Sequence, residues 1–120
     1  MKYFLLFLIS FSTMACTQGA LTDKDTKSKP ENILSKEVFT ELYYDTQLVE
    51  AAIRVEIGKG ADSKEISKFY YENLFKKYHI TEKDFQDNIR YYASNPEQMS
   101  EIQTIVVNRL SKKEAELTNQ

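Results

Sequence analysis

Residues 75–98 read FKKYHITEKDFQDNIRYYASNPEQ, and the fold turns on this stretch. It contains two helix starts in close succession. Thr81 is followed three residues later by Asp84, a reciprocal capping pair, and Ile80 and Phe85 stand where a hydrophobic staple would close. Asn95-Pro96 gives the second start, with Asn as the cap, Pro at the first helical position and Gln98 closing the box. Between them Phe85, Ile89, Tyr92 and Ala93 recur at helical spacing.

Two more starts lie upstream. Asp62 with Glu65 opens a helix that carries Ile66, Phe69, Tyr70, Leu74 and Tyr78 on its apolar face. Ser35, with Leu34 before it and Phe39 four positions on, opens another. That helix runs to about Ile57 and is stopped by Gly58-Lys59-Gly60. Its apolar face reads Val38, Leu42, Val49, Ala52 and Ile53. Downstream, Met99, Ile102, Val106, Leu110 and Leu117 form the last stripe. Arg109, Lys112 and Lys113 lie towards its negative dipole end. The connections are short, so successive helices should pack as neighbours. No β-hairpin signal is present, and three Gly and two Pro are few for an all-β chain. The expected fold is all-α, a small bundle of about four helices over residues 33–118.

Composition sets further bounds. The chain has 120 residues, enough for one small domain. Its 42% hydrophobic and 28% charged residues suit a folded domain. A formal charge of −2 gives no basic surplus for nucleic acid. One Cys excludes an internal disulfide and a Cys-based zinc cluster, and one His makes a His-ligated metal unexpected. No cofactor is expected.

The amino terminus reads as an address. Lys2, an apolar run from Tyr3 to Phe11 and small residues before Cys16 make residues 1–15 a secretory signal peptide. The run is too short to span a bilayer, which takes about 20 residues. Thr13-Met14-Ala15-Cys16 resembles the lipobox of bacterial lipoproteins, with Thr13 standing where Leu is usual. The resemblance implies a lipidated Cys16 as the first mature residue, and two or three acyl chains would anchor it stably. Cleavage removes one Lys, leaving 15 basic and 18 acidic side chains and a charge of −3. Thr17 to Asn32 lacks aromatics and periodicity and reads as a flexible tether, with a typical reach of about 20–25 Å. The first acidic residue after Cys16 is Asp23, which favours a domain facing the periplasm from the outer membrane.

No catalytic constellation stands out. His79 is either a general base or a helix C-cap, and the cap is the reading taken here. Glu37, Glu41 and Asp45 recur every four residues. They form either an acidic site or a solvated edge, in which Asp45 pairs with a Lys or Tyr of another helix. Tyrosine is distinctive: Tyr43-Tyr44, Tyr70-Tyr71 and Tyr91-Tyr92 put adjacent pairs on three helices. Neighbouring positions differ by about 100°, so one member can enter the core while the other lies at the rim. Rim tyrosines would suit packing alone or an aromatic groove for a partner.

Four stretches carry a wider resemblance. They are Ile33-Leu34-Ser35 opening the domain, Leu42-Tyr43-Tyr44-Asp45 with Leu48-Val49-Glu50-Ala51-Ala52, then Phe75 to Phe85, then Tyr91-Tyr92-Ala93-Ser94-Asn95-Pro96-Glu97. Together they resemble a family of short Bacteroidota lipoproteins defined by a domain of unknown function. The resemblance covers roughly residues 33–117 and implies a helical envelope lipoprotein attached to the outer membrane. Asp45, Tyr91, Tyr92 and Pro96 match the pattern best, the first three as partner-binding residues and Pro96 as structural. The expected function is a non-catalytic interaction module with a protein partner in the envelope and the membrane held through Cys16. The alternative is a small-ligand or cation-binding lipoprotein using Glu41 and Asp45.

Overall fold

A computed structural model describes residues 30–119. The expected signal peptide, Cys16 and nearly all of the tether lie outside the described residues. Four helices follow in order: α1 Lys36–Gly58, α2 Ser63–Tyr78, α3 Glu82–Ala93 and α4 Pro96–Thr118. The fold is a small all-α bundle, as the spacing indicates.

All four expected N-caps are in place. Ser35 accepts from the Val38 N–H, Asp62 from those of Lys64 and Glu65, Thr81 from Asp84, and Asn95 from Gln98. Each satisfies backbone donors that have no intrahelical partner. The reciprocal box is complete at Thr81–Asp84. At Asp62 and Asn95 the structure shows the forward half of the motif.

Helix ends are equally explicit. Gly60 (φ 98°) closes α1, with its N–H on the Ile57 carbonyl and the Ala61 N–H on Glu56. His79 closes α2 in the same way at φ 53°, with the Ile80 N–H on Phe75 and its own N–H on Lys76. Both turns use a left-handed residue to satisfy the last carbonyls.

Paired side chains fix the helix directions. Lys36 meets Glu101 and Glu41 meets Arg109, so α1 and α4 run parallel. Asp45 meets Tyr78 and Glu50 meets Tyr71, so α2 returns antiparallel to α1. The core between them holds Phe39, Leu42, Leu74, Tyr92, Ile102 and Val106. Phe39 and Tyr92 stack at its centre, with centroids 4.2 Å apart and planes 15° from parallel.

Several expected core positions are corrected. Val38 is exposed and Phe39, assigned only to a staple, is fully buried. Phe69 is 59% exposed, while Tyr71 packs on the core in its place. Ala93 is exposed, and Leu117 is 64% exposed beyond the reach of the core. In α2, aromatic residues lie on two adjoining stripes. Helical periodicity cannot choose between two such stripes; the position of the neighbouring helices does.

A candidate interaction surface

Asp45 lies midway along α1 and is turned to α2. Its Oδ2 accepts from the Tyr78 hydroxyl at 2.6 Å and from Lys77 Nζ at 2.5 Å. Burial first, and then the Asp45 carboxylate, push the Tyr78 hydroxyl well above its ordinary range. Four residues earlier, Glu41 is turned to α4. It receives a two-pronged bond from Arg109 at 2.6 and 3.0 Å, and the guanidinium lies 4.1 Å from the centre of the Tyr44 ring. Glu41 and Asp45 therefore address different helices and do not form one acidic wall. Among the described residues, no group of three His, Cys, Asp or Glu side chains is placed to hold a metal ion.

Tyr91 and Tyr92 are separated by burial. Tyr92 is 4% exposed and donates its hydroxyl to the Leu34 carbonyl at 2.7 Å. It belongs to the core of its own domain, so a partner cannot reach its ring. Tyr91 stands edge-on to it, centroids 5.2 Å apart, and is 36% exposed. Of the other pairs, Tyr43 and Tyr44 both pack on the core, with Arg109 over the Tyr44 ring; Tyr71 packs inwards while Tyr70 meets Phe69 edge to face.

The Tyr71 side of α2 faces α3 across an open groove of about 670 Å³. Its floor is a trio of rings. Tyr71 and Phe75 lie 5.7 Å apart, Phe75 and Phe85 5.5 Å, and Tyr71 and Phe85 6.0 Å. The Tyr71 hydroxyl donates to Glu50 of α1, and burial and that carboxylate raise it to about 12. On the α2 wall, Lys68 lies 3.9 Å from Glu72. On the α3 wall, Glu82 accepts from the Gln86 amide at 3.3 Å. Tyr71 and Phe75, spaced i and i+4, were the available sequence signal for this floor. Phe69 and Tyr70 offer an equally periodic stripe beside them, and spacing alone does not separate the two.

Asn88 was also missed. It is fully buried within α3 and clasps the chain just before α1. Its Oδ1 accepts the Leu34 N–H at 2.8 Å, and its Nδ2 donates to the Asn32 and Asp84 carbonyls at 2.9 and 2.8 Å. The signal was a polar residue on the face shared by Phe85 and Tyr92, three residues before and four after it.

By architecture the protein is a small all-α domain, with an amino-terminal segment clasped against its third helix. Residues 30–116 match the model of a domain of unknown function, DUF4296, and the chain belongs to that family. No curated protein and no solved structure matches it. Among the described residues, no helix is long and apolar enough to cross a membrane.

Proposed function

We propose that this protein is a non-catalytic interaction module, anchored in the outer membrane by lipid on Cys16 and facing the periplasm. The helical domain would serve as an accessory subunit of an envelope assembly. Residues 17–31 would act as its spacer, since Asn32 is already clasped to α3. The observation that carries this reading is the solvent-open aromatic groove between α2 and α3. Its three rings are half-buried, and rings that keep part of their area open on a small domain are interaction material, because Phe and Tyr bring large apolar area at little conformational cost.

The alternative, a cation or small-ligand site at Glu41 and Asp45, draws less support. Both carboxylates already hold intramolecular cations, Arg109 and Lys77, and a ligand would have to displace them.

The test is crosslinking and affinity purification of the full-length protein from envelope membranes, read by mass spectrometry. The reading expects one stoichiometric envelope partner. It also expects an acylated amino-terminal peptide beginning at Cys16, lost in Cys16→Ser. A wild-type sample with an unacylated Cys16 would remove the anchor from the proposal. A sample with no reproducible partner would remove the module.

A further inference from the structure

We infer that the α2–α3 groove docks a cationic, aliphatic peptide segment of a protein partner. This inference rests on the interaction-module reading above and supplies its site and its ligand chemistry.

The shape comes first. At about 670 Å³ the groove falls in the usual size range of ligand sites, roughly 300–1,000 Å³. Its α2 wall runs from Ser67 to Phe75, about 12 Å at helical rise, or two helical turns. Two aliphatic anchors at i and i+4 of a partner segment fit that length. The floor offers ring carbon to such anchors, because the polar tip of Tyr71 is engaged by Glu50 on the far side.

The charge selects the ligand. The rim carries two carboxylates, Glu72 and Glu82, against the single ammonium of Lys68. Lys68 is already shared with Glu72 at 3.9 Å. Glu82 makes no ion pair among the described residues; its side chain meets only the Gln86 amide. An open carboxylate beside a ring cluster receives a lysine or arginine, with the rings adding cation–π attraction. An acidic segment would meet the uncompensated Glu82 carboxylate on the α3 wall. A second copy of this chain would bring the same net-negative rim, so self-docking through the groove is opposed.

The experiment uses the full-length lipidated protein in detergent micelles. The probe is a fluorescein-labelled 14-residue leucine–lysine peptide, with leucines at i, i+3, i+4 and i+7. A leucine–glutamate counterpart is the control. The expected result is saturable anisotropy with the lysine peptide and none with the glutamate peptide. Glu82→Gln should weaken binding about fivefold, the scale of one partly exposed charge pair. Ser67→Tyr, which fills the groove, should abolish it. Both variants should keep the wild-type circular dichroism and melting temperature. Equal binding by either folded variant, or by the glutamate peptide, overturns the assignment. Protection of the groove in the free protein by a second copy, or by its own residues 17–29, overturns it as well. The two proposals also fail separately. If both variants retain an envelope partner on affinity purification, the groove is wrong and the module stands. If no partner is recovered while the peptide binds as described, the module reading falls instead.

Discussion

Asn88 of α3 accepts the backbone N–H of Leu34 at 2.8 Å, joining residues 54 positions apart. The same carboxamide donates to the Asn32 carbonyl at 2.9 Å, and Asn32 reaches back to Asp84 at 2.9 Å. The segment that enters the domain is therefore held to α3 by side chains that read its backbone. Ile33 and Leu34 pack their own side chains on the core beside it.

Asn88→Leu should destabilise the domain by about 2–3 kcal/mol, because it strands the part-buried Leu34 N–H and Asn32 carbonyl that Asn88 satisfies. Urea unfolding gives the magnitude. Amide exchange gives the location, and the Leu34 N–H should lose its protection before the amides in the middle of α1 do. Uniform loss across the domain would mean that Asn88 acts as general packing and not as a clasp.

The Tyr91/Tyr92 pair should divide cleanly under mutation. Tyr92→Phe keeps the stack on Phe39 and removes the bond to the Leu34 carbonyl, a cost of about 1 kcal/mol. Tyr92→Ala empties the middle of the core and should cost about 3–5 kcal/mol. Tyr91→Ala, at a half-open position, should cost less than about 1 kcal/mol. A double Tyr91/Tyr92→Ala change therefore cannot report on a partner by itself, since it also empties the middle of the core. Thermal melts of the three single variants test the order. A Tyr91→Ala variant as unstable as Tyr92→Ala would contradict it.

His79 holds a left-handed conformation, which costs a residue with a Cβ about 1–2 kcal/mol and glycine almost nothing. Glycine returns part of that gain as extra freedom in the unfolded chain. His79→Gly should therefore stabilise by about 0.5–1 kcal/mol and raise Tm by about 3–6 °C. His79→Val should do the reverse. A lower Tm for the glycine variant would show that the imidazole makes a contribution beyond the cap.

The Asp84 carboxyl is held at about 2, against an ordinary 3.8, chiefly by the Thr81 backbone N–H and then by the Asn32 amide and the Thr81 hydroxyl. A carboxyl depressed by folding stabilises the fold above its unfolded value, and the contribution is lost as pH falls through the folded value. Asp87, lowered first by Lys83, acts in the same direction. The urea midpoint should fall between about pH 3.8 and pH 2, and Asp84→Asn should flatten that fall while lowering stability at neutral pH. An unchanged acid slope in the variant would remove Asp84 as its source.

Helix existence and limits were legible because caps are local. Ser35, Asp62, Thr81 and Asn95 each bond within three residues of themselves, so their chemistry is written in adjacent letters. The expected pairing of Asp45 with a Lys or Tyr of another helix is also met, by Lys77 and Tyr78. The choice between Phe69 and Tyr71 was not legible. Both stripes are apolar, and which one faces inwards depends on how α2 crosses α1 and where α3 lies.

The sequence by itself determined four capped helices, their order and their stops, since each depends on hydrogen bonds closed over a few residues. Tertiary structure alone decided that Tyr92 is core and Tyr91 rim, and that Asn88 clasps a segment more than fifty residues away. It also decided that Tyr71, Phe75 and Phe85 meet in a groove. The physical reason is range. A cap is satisfied by its own turn of chain, whereas burial and long-range bonding depend on which surfaces the packed helices bring together.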